Sequence, residues 1–305
     1  MGDVLEPLFQ VCVVSYSIVA VLHLLGLILL FKSNNDIPNQ RLLMKNLSVV
    51  EILYCLLHVA IFSVFLIVKD GGSTLWLFEA FFVTMFNLEI RFSMLHIIFD
   101  RFLKIYTNIK YFLYMPRPRI LLIMTVHWFL AIACGTLCVI LEAMGMFSTS
   151  FNFFYVVLLA LDLKILISAI ATTIYYFKKV RSIRHIEATA VETTQVTGLQ
   201  LLMSKFKQPC YIVLTYISFN LSSTIFNISM RNIESLSGRQ SMILYILYEV
   251  FFIVGLASDA FIYTYMDRNV RQFLSSLCSN RNPVHSNPVH SNRETIELSS
   301  TLSRV

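Results

Sequence analysis

The sequence predicts an all-α membrane protein: a seven-transmembrane helix bundle with its N-terminus outside and a short amphipathic eighth helix. Composition is the first reason, because 57% of the 305 residues are hydrophobic and 14% are charged, whereas a soluble domain is about a quarter charged. The second reason is a mean hydropathy of +0.70. The third is that the apolar residues are gathered into seven runs with short polar segments between them.

Each apolar run is long enough for a helix to cross a bilayer, which takes roughly 20 residues. The runs lie near residues 8–32, 43–69, 75–106, 120–145, 152–178, 206–230 and 241–265. Segments such as "KSNNDIPNQR", "DGGST", "MPRPR" and "SLSGR" interrupt the runs and are typical of turns. Because lipid cannot satisfy backbone amides, runs of this length predict helices.

The distribution of Lys and Arg predicts the orientation. One set of connections contains Lys32, Arg41, Lys45, Lys104, Lys110, Arg117, Arg119, Lys178, Lys179, Arg181, Arg184, Lys205 and Lys207. The opposite side has Lys69, Arg231 and Arg239. Since basic residues concentrate on the cytoplasmic side, we expect a multi-pass membrane protein with its N-terminus outside. The formal net charge of +6 then reflects this topology and attraction to anionic membrane lipids rather than to nucleic acid.

Three regions follow from this organisation. Residues 1–7 predict a short extracellular N-terminus with no removable signal peptide, since acidic Asp3 and Glu6 stand in place of a basic segment. Residues 8–278 form the membrane domain with helix eight. Residues 279–305 are polar, contain a duplicated "NPVHS" and predict a disordered cytoplasmic tail.

Two features near the C-terminus suggest modification or binding. Cys278 follows the basic amphipathic stretch "DRNVRQFLSSL", where the thiol is a candidate for S-palmitoylation or an unmodified cytosolic group. The final residues "SRV" could add as a strand to a PDZ-type domain that captures a C-terminal carboxylate.

Motifs at matching places in four predicted spans resemble those of rhodopsin-like G-protein-coupled receptors. Asp100-Arg101-Phe102, at the cytoplasmic end of the third span, resembles that family's Asp-Arg-Tyr motif. "NLSVVE" (46–51) is similar to its Asn-Leu-Ala-x-x-Asp, and Trp128 to its fourth-span tryptophan. Tyr175 or Tyr176 precedes "FKKVR" as the fifth-span tyrosine does.

The seventh span carries a further part of this resemblance. "SDAFIYTYMDRNVRQF" (258–273) resembles the Asn/Asp-Pro-x-x-Tyr motif that leads into an eighth helix, with Asp259 and Tyr263 matching and Ala260 in the place of the proline. The resemblance covers residues 8 to about 278. Weaker features, including the absence of a third-span cysteine and of a fifth-span proline, are similar to the melanocortin, cannabinoid and lysophospholipid branch.

The resemblance implies a switch made of Asp100, Arg101, Tyr175, Tyr176 and Tyr263. An Arg facing the bundle interior is costly unless it is paired, and the adjacent Asp100 would hold it. Release of Arg101 would let the fifth and sixth helices swing outwards and admit a heterotrimeric G protein, with arrestin as a further partner. The alternative is an arginine that extends from a helix end to the membrane surface.

Two carboxylates and a histidine are expected near the middle of the membrane. Glu51 takes the place of the family's second-span Asp, Asp259 lies in the seventh span, and His23 lies about where the first span usually has Asn. We expect the three to meet, because buried carboxylates must share a proton, pair with a base or bind a hard cation such as sodium. A static hydrogen-bonded network is the alternative. We expect no other cofactor and no further metal site.

Ligand recognition is less constrained by the sequence. Val83 stands where amine receptors carry their amine-binding Asp, so a biogenic amine bound in that way is disfavoured. Candidate ligand-binding residues in the spans are Glu79, Val83, Asn87, Asp162, Lys164 and Glu249. The three acids among them would suit a cationic ligand such as a peptide. The ligand class stays open among small molecules, lipids and peptides.

Other functional classes are weighed against a receptor. A transporter or channel would also gather intramembrane carboxylates, but broken Gly-rich helices are expected there, and the chain has nine glycines. A receptor-like protein without signalling is favoured by Ala260 and by the absence of the sixth-span tryptophan. We expect no enzyme, because the seven histidines show no metal-ligand spacing such as His-x-x-x-His.

Overall fold

The computed structural model describes residues 2–32, 38–68, 73–107, 111–189, 211, 214–232, 238–265 and 268–278. All regular structure in these ranges is helical. The α-helices are α1 (Gly2–Lys32), α2 (Pro38–Val68), α3 (Ser73–Thr107), α4 (Tyr111–Tyr114), α5 (Arg117–Ala143), α6 (Phe147–Thr189), α7 (Ser222–Asn232), α8 (Gly238–Ala260) and α9 (Arg268–Cys278).

Within the described residues, six helices are long and apolar enough to cross a membrane. Their candidate spans are Glu6–Lys32, Leu42–Val68, Leu77–Lys104, Arg117–Ala143, Asn152–Lys179 and Ile243–Ala260. These ranges correspond to six of the seven spans predicted from the sequence. The prediction of an all-helical, multi-pass membrane protein is therefore confirmed at this level.

The sixth predicted span, residues 206–230, lies partly outside the described residues. From Tyr216 to Leu221 the chain forms a π-helical turn, which runs directly into α7. The hydrophobic pattern gives no indication of this wider turn. Turns of this kind are rare, and they occur often at functional sites.

Helix α3 is the central helix of the bundle. In its most apolar window 72% of the residues are buried, compared with 17 to 39% for the other five candidate spans. It packs against α2, α5 and α6. Because the other helices face lipid over most of their surface, polar side chains on α3 are the ones best placed to meet partners inside the protein.

Prolines and glycines explain the bounds and packing of α5. Pro116 is extended and Pro118 lies in the first turn, where a missing N–H costs nothing. The helix ends at Ala143, and two residues later Gly145 has a φ of 78°, the left-handed conformation that glycine adopts readily after a helix. Inside the helix, Gly135 lets α3 approach, since a Cβ there would lie 2.9 Å from the carbonyl oxygen of Phe81.

Two helices extend the bundle at the predicted cytoplasmic side. Helix α6 has 43 residues, about 65 Å at 1.5 Å per residue, so it continues well beyond a hydrocarbon core of about 30 Å. Helix α9 is amphipathic: Val270 is buried, whereas Arg271 and Gln272 are exposed. It occupies the position where the sequence predicts an eighth helix.

Candidate functional site

A buried ion pair joins α3 to α6 inside the bundle. The Nε of Arg91 donates to Oδ1 of Asp162 at 2.8 Å, and the two side chains are 4% and 0% exposed. Asp162 is one of the ligand candidates predicted from the sequence, but the structure places it against Arg91. Paired charges are the form in which ionisable residues are tolerated inside a membrane protein.

Neighbouring side chains make further hydrogen bonds with this pair. Nη1 of Arg91 donates to the side-chain oxygen of Asn87 at 2.9 Å, and Nη2 donates to Thr224 at 3.2 Å. The hydroxyl of Thr224 lies 2.7 Å from Oδ2 of Asp162, and the hydroxyl of Tyr216 donates to Oδ1. We call Asn87, Arg91, Asp162, Tyr216 and Thr224 the ionic network.

The ionic network connects three parts of the bundle that are distant in sequence. Arg91 belongs to the central helix α3, Asp162 to α6, and Tyr216 and Thr224 to the π-helical turn and α7. Since each partner is buried, removing one would leave another without its hydrogen bond in a medium that cannot replace it. The network therefore fixes the relative positions of α3, α6 and α7.

A small cavity lies beside the ionic network. Its polar side consists of Asn87, Arg91, Ser223 and Thr224. Its other walls are mainly aromatic, from Phe154, Tyr155, Tyr248 and Phe252. The empty space is about 230 Å³, counted with the part that opens outwards. Asp162 lies behind Arg91 and is not among the lining residues.

His23 and Glu51 are in direct contact in the core. Nδ1 of His23 lies 3.1 Å from Oε2 of Glu51, and Nε2 lies 3.0 Å from the carbonyl oxygen of Leu256. A carbonyl oxygen can only accept, so Nε2 carries a hydrogen. A single further proton must then lie between Nδ1 and the carboxyl group, whichever of the two holds it.

Asp259 lies within electrostatic range of Glu51 and accepts a hydrogen bond from Asn220 of the π-helical turn. Among the described residues, Oε1 of Glu51 and Oδ2 of Asp259 are each buried without a hydrogen-bond partner. Oxygen atoms of this kind are the ligands that hard cations prefer. The described residues nevertheless bring no three His, Cys, Asp or Glu side chains into a metal-binding group, so a sodium site stays a prediction.

A second buried carboxylate contacts α1. The hydroxyl of Tyr16 donates to Oε2 of Glu249 at 2.8 Å. Aromatic rings from α1 and α2 surround this contact, with the ring centroids of Tyr16 and His58 4.9 Å apart. Glu79 lies near enough to Glu249 to repel it, and Oε2 of Glu79 is buried.

The remaining ligand candidates are placed differently. Val83 is half-buried, and Asn87 is buried in the ionic network. Lys164 is exposed on α6 and does not point into the bundle. Lys164 and Asp162 differ in this way because residues two apart on a helix lie on different faces.

Polar contacts also cluster around Glu89 on α3. Asn46 of α2 donates to Oε1 of Glu89 at 3.0 Å and to Ser93 at 2.8 Å. The indole nitrogen of Trp128 on α5 donates to Asn46 at 3.3 Å. This group links α2, α3 and α5, and it lies on the opposite side of α3 from the helices joined by the ionic network.

Two of the five predicted switch residues, Asp100 and Arg101, lie near the C-terminal end of α3. Asp100 is buried and accepts hydrogen bonds from Lys104, at 3.0 Å, and from the hydroxyl of Tyr111 in α4. Arg101 is half-buried beside it. The adjacent residues of a helix point in different directions, whereas residues four apart are neighbours, which explains the contact with Lys104. The pairing of Asp100 with Arg101 in the switch stays a prediction.

Aromatic side chains join this end of α3 to α6. The ring of Phe102 lies 5.6 Å from that of Tyr175, and the ring of Tyr106 lies 5.7 Å from it. Tyr176 is buried at 4% exposure. The side chains of Tyr263 and Cys278 lie outside the described residues.

Comparison with known proteins gives no relative. No protein-family model matches the chain, and no curated protein matches it. The ionic network is therefore interpreted from its own geometry.

Sequence reasoning identified Asp162 and Asn87 but missed Arg91, Tyr216 and Thr224 as members of one site. A signal was present, since Arg91 and Asp162 carry opposite charges in the middle of two predicted spans. An isolated charge at that depth requires a partner. Nothing in the sequence indicates Tyr216 or Thr224, because the π-helical turn sets which of their neighbours they meet.

Proposed function

We propose that this chain is a rhodopsin-like G-protein-coupled receptor of the plasma membrane, with its N-terminus outside. It binds an extracellular small-molecule, lipid or peptide ligand and activates a heterotrimeric G protein by moving its fifth and sixth spans. The observation that carries this proposal is the placement of the Asp100-Arg101 motif at the end of the central helix α3. The motif there is fastened to α4 through Tyr111 and packed on α6 through Phe102.

The ionic network supports a mechanism for the signal. Arg91 and Asp162 hold α3, α6 and the π-helical turn together. A ligand that alters this pair changes the relative stability of two arrangements of the helices, which is what a conformational switch requires. The change is transmitted along α3 to Arg101, about three helical turns away at 3.6 residues per turn.

The polar core gives a second point of control. His23, Glu51 and Asp259 lie where α1, α2 and α8 meet, and two of their carboxylate oxygens have no partner within the described part of the chain. A proton or a sodium ion bound there would favour one arrangement of the helices. Arrestin, a PDZ-type partner at the tail and palmitoylation of Cys278 belong to the same proposal.

A transporter is the second candidate, and the His23–Glu51 contact favours it. A proton shared by two buried groups, with a further carboxylate in range, is typical of proton pathways in pumps and transporters. A receptor-like protein that no longer signals is the third candidate, because Ala260 replaces the family's proline.

The proposal is tested by expressing the full chain in cells with a luminescent sensor for G-protein recruitment. Wild type is compared with Arg101→Ala and Tyr263→Ala, with surface expression matched. The receptor function predicts a basal signal in the wild type that both variants lose. A transporter gives no signal in any of the three, and so does the receptor-like protein without signalling. Proton flux in proteoliposomes then separates these two, since the transporter predicts flux that Glu51→Gln abolishes.

A further inference from the structure

We propose that the cavity beside Arg91 binds a small organic anion, such as a carboxylate, and that Arg91 is the residue that recognises it. This inference rests on the receptor function proposed above and adds the chemical class of the ligand. It differs from the expectation of a cationic ligand drawn from the acidic residues of the spans. The difference comes from where the structure places those acids.

The charge that faces the cavity is positive. Among the described residues that line it, Arg91 alone carries a full charge, and Asn87, Ser223 and Thr224 supply further polar groups. Asp162 balances Arg91 from behind. A ligand in the cavity therefore contacts the guanidinium of Arg91 and does not contact the carboxylate of Asp162.

The guanidinium has a hydrogen-bond donor to spare. Of its five N–H groups, Nε contacts Asp162, Nη1 contacts the backbone and side-chain oxygens of Asn87, and Nη2 contacts Thr224. In the described part of the chain these four bonds leave one N–H on Nη2. This N–H can donate one charge-assisted hydrogen bond to an oxygen of a bound carboxylate.

Two of the three acids that would attract a cation already have partners. Asp162 contacts Arg91, Tyr216 and Thr224, and Glu249 accepts from Tyr16. An ammonium group placed in the cavity would lie beside the guanidinium, where the low dielectric of the interior strengthens repulsion. The arrangement therefore selects against cations at this position.

The size and walls of the cavity limit the ligand further. Its empty space of about 230 Å³ includes the part that opens outwards, so the enclosed part is far below the range of about 300–1,000 Å³ for drug-sized ligands. The enclosed part has room for about one water molecule, so the walls must move apart to admit a ligand. Aromatic walls next to a guanidinium suit a small aromatic acid.

The experiment uses the full chain purified in lipid nanodiscs and two probes of equal shape, benzoate and benzylamine. Binding is measured by saturation-transfer NMR titration. A variant lacking Arg91 alone would leave Asp162 unbalanced and could fail to fold, so the test variant is the double change Arg91→Gln with Asp162→Asn. It is neutral and keeps hydrogen-bonding groups at both positions. Lys178→Gln, which removes an exposed positive charge from α6, is the matched control.

We expect benzoate to bind with a Kd on the order of 1 mM, at least tenfold more weakly in the double variant and unchanged in Lys178→Gln. Benzylamine should not bind. Equal benzoate binding in the double variant overturns the inference, as does tighter binding of benzylamine or no binding of benzoate up to about 10 mM.

Nucleotide exchange on added G protein, measured on the same samples, separates this inference from the receptor function. Benzoate binding without nucleotide exchange contradicts the receptor function and supports the anion site. Nucleotide exchange without benzoate binding supports the receptor function and contradicts the anion site.

Discussion

Arg91 of α3 and Asp162 of α6 form an ion pair with 2.8 Å between Nε and Oδ1, although 71 positions separate them in the chain. Both side chains are buried and bonded to further groups, so neither charge is left uncompensated. Together with their hydrogen-bond partners, the two side chains hold α3, α6 and α7 in fixed relative positions.

The single variants Arg91→Gln and Asp162→Asn should each destabilise the protein by about 3–5 kcal/mol, because each leaves one buried charge without its partner. The double variant should be closer in stability to the wild type than either single variant. Thermal unfolding of the purified protein in detergent measures the difference. If the two single effects simply add in the double variant, the side chains do not act as a pair.

Glu51→Gln should lower the free energy of unfolding by less than about 1 kcal/mol. A glutamine N–H can replace the proton that lies between Glu51 and Nδ1 of His23. His23→Ala should cost more, about 1–3 kcal/mol, because the carbonyl of Leu256 also loses its donor. Unfolding by heat is again the measurement, with Leu24→Ala on the lipid-facing side of α1 as the control. A loss for Glu51→Gln as large as that of a broken ion pair would contradict a neutral, proton-sharing contact.

Gly135→Ala should destabilise the bundle by about 1–3 kcal/mol, the range for added volume at a tight contact. The new Cβ would lie 2.9 Å from the backbone oxygen of Phe81, which cannot rotate away. Thr136→Ala, one residue further on and exposed, is the matched control and should have little effect. Fluorescence-detected chromatography after heating reports both. Equal stability of the two variants would mean that α3 and α5 do not approach as closely as described.

Six of the seven predicted spans match long apolar helices because each is a continuous hydrophobic run bounded by turn residues, such as Pro116 before α5. The π-helical turn at Tyr216–Leu221 could not be predicted in this way, since its wider hydrogen bonding depends on contacts such as that of Asn220 with Asp259. The contact of Asp100 with Lys104 could have been predicted from a spacing of four residues.

The ionic network was predictable only in part. The sequence reveals that Arg91 and Asp162 need partners, because both lie in apolar runs. It does not reveal that Arg91 and Asp162 pair with each other, because the rotation of α3 relative to α6 determines which faces of the two helices are in contact. The contact between His23 and Glu51 was suggested by resemblance to a receptor family, and the structure brings the two side chains within 3.1 Å.

Asp100→Asn should raise basal G-protein recruitment above that of the wild type. The neutral amide holds Lys104 less strongly than the carboxylate does, because a hydrogen bond to a charged group is about twice as strong. In the proposed switch it also holds Arg101 less strongly. Tyr114→Phe, at an exposed position on α4, should leave the signal unchanged. The measurement is the recruitment sensor at matched surface expression. A signal in Asp100→Asn equal to that of wild type would remove Asp100 from the switch.

The most direct test of the receptor function is the distance between α4, on the predicted cytoplasmic side, and the predicted cytoplasmic end of the sixth span. Spin labels are placed at Tyr114→Cys and Tyr211→Cys, two exposed positions, with Cys210 and Cys278 changed to Ser. Pulsed electron paramagnetic resonance then measures the distance with and without nucleotide-free G protein. We predict an increase of more than about 5 Å, one helical turn, that Arg101→Ala abolishes. An unchanged distance distribution after G protein is added would contradict the receptor function.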